Sequence, residues 1–182
     1  LAVVVTLFLT GISFAGTLSD IVKRGELRVA VQSGAAPYAF IDKNGEHTGS
    51  MVDFTNGMAK AMGVKIKILD FDWDGLIPAL LSGKADILAA DMTPTLKRAL
   101  KITFADPWMY VQPCVFTKTG ASFQALEDVN KSEVTVGVLL GSTGETIAKK
   151  FLPNAKIKSY KGGGRMIVQA LIAGHVDAGV ND

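Results

Sequence analysis

Two stretches of this 182-residue chain match each other without a gap, and this internal repeat limits the possible folds more than any other feature. Residues 79–91 and 170–182 share alanine, leucine, glycine and two aspartates at equivalent positions, at an offset of 91 residues. Solenoid repeats are shorter, at roughly 20–50 residues per unit. The repeat therefore indicates two similar lobes, although βαβ units in general also resemble one another.

The order of apolar runs and helical patterns predicts an α/β fold. Apolar runs predict strands over residues 27–31, 64–69, 87–90, 111–116, 135–140 and 157–160. Helical spacing with cap and stop signals predicts helices over residues 19–24, 76–81, 96–101, 142–151 and 166–172. Residues 38–41 and a turn at 42–45 predict a small hairpin. Because strands and helices alternate, we expect βαβ units with mainly parallel sheets.

Two features are interpreted as packing rather than chemistry. Met51, Phe54, Met58 and Met62 recur at helical spacing, which predicts one apolar face packed into the core. Cys114 is the only cysteine and falls in a predicted strand, so we expect a small buried side chain there. A single cysteine also rules out an internal disulfide framework.

Composition disfavours several classes of protein. Hydrophobic residues make up 48% of the chain, enough to bury a core, which disfavours intrinsic disorder. The 19 basic and 17 acidic residues leave a formal net charge of +2 without a basic stripe, so we expect no nucleic-acid partner. The only histidines, His47 and His175, show no metal-ligand spacing, and we expect neither a metal nor a cofactor.

The start of the chain is typical of an exported protein. Residues 1–14 are mostly apolar and lead into Ser13-Phe14-Ala15, a small-x-small pattern that is typical of a signal-peptide cleavage site. The run is shorter than the about 20 apolar residues of a membrane span and is interrupted by Thr10-Gly11. We therefore expect residues 1–15 to be an incomplete signal peptide of a periplasmic or extracellular protein; a membrane anchor is the alternative.

The chemistry is expected in the loops that follow the repeated strands. Asp91 and Asp182 come just past the carboxyl ends of equivalent strands, where open α/β sheets place their ligand crevice. After Asp91, Thr95 can cap the helix that follows, which leaves Arg98 in its first turn, where a cation opposes the helix dipole. An anion bound by the guanidinium and the Thr93 hydroxyl would explain this position; a solvated arginine explains the spacing equally well.

Two further loops contain candidate ligand groups. Gly141-Ser142-Thr143 lies between a predicted strand and a predicted helix, where free N–H groups and the two hydroxyls can form an anion site or simply cap the helix. The loop lacks the lysine of a phosphate loop and the glycine pattern of a dinucleotide site. Trp73 lies in a strand-to-helix loop, where an exposed aromatic ring is typical of a binding wall.

Taken together, these segments resemble one known family. The matching segments lie within residues 18–182 and are residues 27–40, 74–80, 83–86, 92–95 with Arg98, 104–108, 138–143 and 177–182. They resemble bacterial extracellular solute-binding proteins of family 3, the polar amino-acid type. The resemblance implies an α/β periplasmic-binding-protein-like type II fold, with two α/β lobes, a hinge and an interlobe cleft. Lobe 1 would span residues 16–115 and lobe 2, truncated, residues 116–182.

The resemblance also implies roles for individual residues. Arg98 and Thr93, helped by Thr143, would bind the α-carboxylate of an amino acid. Asp182 would bind the α-ammonium group, with the Asp91 backbone carbonyl as a second acceptor. Because these contacts come from both lobes, ligand binding would favour closure of the hinge.

The remaining pocket candidates concern ligand choice. They are Trp73, which would pack on the ligand side chain, Ser142 and Gln32, together with Tyr38, Leu139 and Met92, for which packing is an equally good explanation. Many relatives have an acidic residue where this chain has Gln32, and an aromatic residue where it has Ala35. A cationic side chain would therefore lack its usual partner, and we expect a neutral or polar amino acid.

The resulting functional hypothesis is a binding protein rather than an enzyme. We expect the monomeric substrate-binding component of an amino-acid ABC importer, with a permease and an ATPase as membrane partners. The alternatives are the sensing domain of a membrane receptor or kinase and a dehydratase-like enzyme on the same fold. Relatives continue past the position of Asp182, so a fragment ending there is expected to show little stabilisation by ligand.

Overall fold

The first half of the chain forms a parallel sheet with helices on both faces. The structure, a computed structural model, describes residues 18–182. The elements are α1 (Leu18–Arg24), β1 (Glu26–Val31), β2 (Gly34–Ala35), β3 (Ala39–Ile41), β4 (His47–Thr48), α2 (Ser50–Ala61), β5 (Lys65–Asp70), a 3₁₀ turn (Trp73–Gly75), α3 (Leu76–Leu81), β6 (Ile87–Leu88) and α4 (Leu96–Ala99). The main sheet has the order β5-β1-β6, and β2, β3 and β4 form a small antiparallel sheet.

Strand β1 is the centre of this half because it is buried on both faces. Val29 packs in a cluster with Met51 of α2, whereas Ala30 packs in a separate cluster with Leu76 of α3. Successive side chains of a strand point to opposite faces of its sheet. An unbroken apolar strand with a helix on each side is the expected result in a parallel sheet.

The second half repeats this arrangement with one additional strand. Its elements are β7 (Cys114–Thr117), α5 (Leu126–Val129), β8 (Thr135–Leu139), α6 (Thr143–Phe151), β9 (Lys156–Tyr160), α7 (Arg165–Ile172) and β10 (Ala178–Asn181). The sheet order is β7-β10-β8-β9, with β8 parallel to both neighbours and β7 antiparallel to β10. The predicted α/β class with mainly parallel sheets is confirmed.

Two expectations about packing are wrong. Phe54 is 60% exposed, whereas Met51 is buried. The buried face of α2 is centred towards Thr55, and the helical step of about 100° per residue turns Phe54 away from it. Cys114 is also exposed, because it lies on β7, which has a hydrogen-bonded neighbour on one side only.

The two main sheets direct their carboxyl ends towards a common cleft. Asp91 follows β6 of the first sheet, and Asp182 follows β10 of the second. Loops of the two lobes touch there through side-chain hydrogen bonds, described below. Within residues 18–182, no helix combines the length and the apolar character that crossing a membrane requires. The expected signal peptide, residues 1–15, lies outside the described residues.

Candidate functional site in the interlobe cleft

Asp182 is one of the points at which the two lobes share hydrogen bonds. Its Oδ2 accepts from Thr93 Oγ1 of the first lobe at 3.1 Å and from Thr143 Oγ1 of the second lobe at 2.7 Å. Among the described residues, Oδ1 of the same carboxylate accepts no hydrogen bond. Three of the residues predicted for the site are thus brought together from segments far apart in the chain.

Arg98 lies beside this group and is buried, with an exposed fraction of 8%. Thr95 caps α4 as predicted, its Oγ1 accepting from Arg98 N at 3.2 Å. The guanidinium donates through Nη1 to the Thr93 carbonyl at 2.7 Å and through Nη2 to the Gly141 carbonyl, in the other lobe, at 3.1 Å. A solvated arginine, one of the two sequence hypotheses, is therefore excluded. A guanidinium has five N–H donors, so three remain for a ligand.

Trp73 packs on the Arg98 guanidinium. The Cζ atom of Arg98 lies 5.3 Å from the centre of the Trp73 ring, within the range of a cation–π contact. Trp73 belongs to the 3₁₀ turn that precedes α3, so a short local element places the ring beside Arg98, where it also packs partly on the apolar cluster around Leu76. The aromatic wall predicted from the sequence and the predicted anion-binding arginine are therefore neighbours.

Asp91 has an unusual backbone conformation and a raised side-chain pKa. Its backbone φ of 45° lies in the left-handed region, which non-glycine residues seldom adopt. Although the side chain reaches solvent, the surrounding protein desolvates it, and the nearby Asp182 carboxylate adds like-charge repulsion. Together these effects raise the pKa of Asp91 to about 7. Burial acts on Arg98 in the opposite sense and lowers its pKa, partly offset by Asp182.

Ser142 and Thr143 are adjacent but have different partners. Ser142 Oγ caps α6 by accepting from Glu145 N at 3.0 Å, and the carboxylate of Glu145 accepts from Gly141 N at 2.6 Å. Ser142 is 4% exposed. Of the two hypotheses for this loop, the helix cap describes Ser142, whereas only Thr143 joins the group around Asp182.

Three other predicted pocket residues are absent from the hydrogen bonds that reach Asp182 within residues 18–182. Gln32 is buried, and its Nε2 donates to the Gly162 carbonyl of the other lobe at 3.2 Å. The Tyr38 ring packs edge-on against Trp108, with ring centres 6.5 Å apart. Leu139 is buried at the end of β8.

Gly162 is a site residue that the sequence reasoning missed. Its carbonyl accepts from Gln32 and also from the Trp73 backbone N–H at 3.0 Å, so two groups of the first lobe meet on one atom of the second. The run Gly162-Gly163-Gly164 between β9 and α7 was the available signal. Consecutive glycines permit a close backbone approach, but a sequence does not show what approaches them.

The comparison with known proteins agrees with this architecture. Residues 27–150 match the family of bacterial extracellular solute-binding proteins, family 3. The chain belongs to this family. The predicted family and the predicted type II periplasmic-binding fold are thereby confirmed, and members of family 3 are extracellular or periplasmic solute-binding proteins.

Individual relatives in family 3 are similar to most of the chain. It is 34% identical to a probable histidine-binding protein of Neisseria gonorrhoeae, covering 85% of this chain and 58% of that protein. It is 30% identical to the lysine/arginine/ornithine-binding periplasmic protein of Escherichia coli K12, covering 86% and 60%. The chain thus spans about three fifths of the length of these relatives.

A solved structure with a similar fold is that of an ancestral amino acid-binding protein described as a precursor of cyclohexadienyl dehydratase. The TM-score is 0.87 at 41% identity, covering 92% of this chain and 74% of that one. The ligands named for these relatives do not support the expected preference for a neutral or polar amino acid. In the part of the chain that the structure describes, no three His, Cys, Asp or Glu side chains are placed to hold a metal ion.

Proposed function

We propose that this protein is the substrate-binding component of an amino-acid importer and holds a zwitterionic amino acid between its lobes. The observation that supports this most directly is the position of Thr93. Its carbonyl accepts from Arg98 and its hydroxyl donates to Asp182, so a guanidinium and a carboxylate lie on either side of one residue. A small dipolar molecule can pair both of its charges there, as burial of a zwitterion requires.

Closure of the lobes follows from the same set of contacts. Asp182 and Thr143 belong to the second lobe, and Arg98 and Thr93 to the first. A ligand that bonds to both sets interacts more strongly with the closed arrangement than with an open one. Hinge closure around the amino acid is therefore part of the proposal.

The charge balance of the cleft points to a cationic amino acid. Besides Arg98, Asp91 and Asp182, two charged residues lie where the lobes face each other: Arg165 is beside Gly34 of the first lobe, and Asp72 is beside Gly162 of the second. When Asp91 is ionised, above its pKa of about 7, these five groups carry one negative charge in excess, which a cationic amino acid balances; when Asp91 is protonated, their charges sum to zero. The relatives named for histidine and for lysine, arginine and ornithine are in keeping with this choice.

Isothermal titration calorimetry on the natural full-length protein tests the proposal. At pH 8, where Asp91 is mostly ionised, we expect lysine or arginine to bind more tightly than glutamine, and glutamate to bind weakest. Arg98→Met should abolish binding of every amino acid, because the α-carboxylate loses its charged partner. Lys97→Met is the matched control, since Lys97 is the exposed neighbour of Arg98. Absence of binding by any amino acid to the unaltered protein would refute the proposal.

A dehydratase activity is the second candidate. A general acid works best with a pKa near the working pH, and the pKa of Asp91, at about 7, meets this condition in the cleft. The solved relative is itself an amino acid-binding protein and is described as a precursor of such an enzyme, and a cyclohexadienyl dehydratase of Pseudomonas aeruginosa is 26% identical to this chain. Loss of water from a hydroxylated cyclohexadiene yields an aromatic ring, whose ultraviolet absorbance reports turnover. Turnover that disappears in Asp91→Asn would favour the enzyme.

A further inference from the structure

We propose that Gln32 is a positioning residue that holds the two lobes together, rather than a group that selects the ligand side chain. Its hydrogen bond to the Gly162 carbonyl is called the latch below. The inference rests on the proposed binding function. Gln32 follows β1 in the first lobe, and its Nε2 donates across the cleft to the Gly162 carbonyl at 3.2 Å. With 6% exposure, the amide is buried in this contact.

The Gly162 carbonyl receives a second bond from the same lobe. The Trp73 backbone N–H donates to it at 3.0 Å. Trp73 also stacks on Arg98, so the segment that holds the latch is the one that carries the aromatic wall of the cleft. Closing the latch therefore places Trp73 and Arg98 relative to the second lobe.

The glycines around the latch are required by its geometry. Gly162 has a φ of 95°, a conformation that residues with a side chain rarely adopt. A Cβ on the buried Gly163 would overlap Nε2 of Gln32. Any side chain at position 163 would thus displace the amide from the carbonyl, and the latch depends on residues from both lobes.

The chemistry of the amide distinguishes a latch from a ligand-selecting group. Gln32 acts here as a donor to a carbonyl oxygen, a role that a carboxylate cannot fill. Gln32→Glu keeps the size of the side chain and replaces this donor by an acceptor that the Gly162 carbonyl repels. If Gln32 faced the ligand instead, the new negative charge would strengthen binding of a cationic amino acid.

The decisive experiment compares two ligands in the natural full-length protein. For Gln32→Glu we expect the dissociation constants of arginine and glutamine to rise by the same factor, roughly 2- to 12-fold for one lost hydrogen bond. The ratio of the two constants should stay within about twofold of the unaltered protein. Gln169→Glu, on the exposed face of α7, is the matched control and should change neither constant. A selective gain in arginine affinity, or no change at all, would overturn the latch.

A variant in the opposite lobe tests the same contact independently. Gly163→Ala should weaken both ligands by a similar factor, and the double variant with Gln32→Glu should be no weaker than the more affected single variant, because both remove one interaction. Gly57→Ala is the matched control, since a Cβ there meets open space. Additive losses would argue against a shared contact.

Small-angle scattering without added ligand separates this inference from the proposed function. A latch predicts a larger radius of gyration for Gln32→Glu and Gly163→Ala than for the two control variants, because the lobes separate more often. If no amino acid binds but the two variants open, the binding proposal fails and the latch holds. If amino acids bind and the radius is unchanged, the latch fails and the binding proposal holds.

Discussion

Asp91 and Asp182 occupy equivalent positions in the two lobes, but their carboxylates have different surroundings. Asp182 accepts hydrogen bonds from Thr93 and Thr143, one from each lobe. Among residues 18–182, no hydrogen bond or ion pair reaches the Asp91 carboxylate, and desolvation together with Asp182 raises its pKa to about 7. One repeat thus supplies a carboxylate held by two hydroxyl groups, and the other a carboxyl group whose pKa lies near neutral pH.

The difference arises from neighbours, not from the repeat itself. Two carboxylates that face one cleft cannot both be stabilised as anions unless each has donors or a cation nearby. Desolvation, and then repulsion by Asp182, raises the pKa of Asp91, and the hydroxyl donors of Thr93 and Thr143 are directed at Asp182 instead. The equivalence of the two positions in sequence therefore predicts where the carboxylates lie but not how they ionise.

The strongest test of the comparison is to neutralise each carboxylate in turn. At pH 6, Asp182→Asn should weaken amino-acid binding roughly 10- to 150-fold, because charge-assisted hydrogen bonds are worth about 1.5–3 kcal/mol. Asp91→Asn should have little effect at this pH, where Asp91 is already mostly protonated. Calorimetry on both variants measures the contrast. Equal losses in the two variants would contradict the assigned asymmetry.

A second test uses pH to convert Asp91 into a charge. With a pKa of about 7, the ionised fraction of Asp91 rises from about one tenth at pH 6 to about nine tenths at pH 8. Affinity for arginine should therefore rise up to about tenfold over this range, because the new anion attracts the cationic ligand. Titrations at several pH values check this. Asp91→Asn should flatten the profile, and an unchanged slope in that variant would assign the dependence to another group.

The hydroxyls that distinguish Asp182 give a smaller expected effect. Thr143→Val and Thr93→Val each remove one donor to the carboxylate while keeping the shape of the side chain. We expect dissociation constants about fivefold higher, consistent with a net hydrogen-bond contribution near 1 kcal/mol. The loss should be greater for Thr143, whose bond is 2.7 Å against 3.1 Å. Calorimetry measures both dissociation constants. A larger loss of affinity for Thr93→Val than for Thr143→Val would contradict the expected order.

An effect of similar size is expected on folding stability. The pKa of Asp91 is higher in the folded than in the unfolded chain, so its favourable contribution is full below about pH 4 and is lost as the pH rises through about 7. Asp91→Asn should thus be more stable than the unaltered protein at pH 8, by about 1 kcal/mol once solvent screening is allowed for. At pH 4 the gain should vanish. Urea denaturation at the two pH values measures the free energy of unfolding of both proteins. A gain in stability that persists at pH 4 would exclude the ionisation of Asp91 as its cause.

Local features were predicted well because short segments determine them. Helix α3 spans Leu76–Leu81 as predicted, and Thr95 caps α4 through a bond three residues along the chain. Apolar spacing, caps and glycine stop signals act within one or two turns of chain. The same spacing was misleading for Phe54, since periodicity identifies a helical face but not how wide the buried part of that face is.

The candidate site was predicted in part. Arg98, Thr93, Thr143 and Asp182 were singled out from their loops and from the family resemblance, and the structure brings them together. Gln32 was assigned to ligand choice, whereas its amide bonds to the other lobe. A residue 130 positions away cannot be inferred from local pattern, so the partner of Gln32 could not be foreseen.

The sequence by itself determined the two α/β lobes, the family and the strand ends at which the chemistry lies, because periodicity, turn residues and an internal repeat act locally or by simple correspondence. Only the tertiary structure decided that Arg98 is buried against the opposite lobe, that Asp182 takes the hydroxyl donors and that the pKa of Asp91 is raised to about 7. Those properties depend on desolvation and on contacts between residues that are distant in the chain. Desolvation and these contacts exist only in the folded chain, where the two lobes touch.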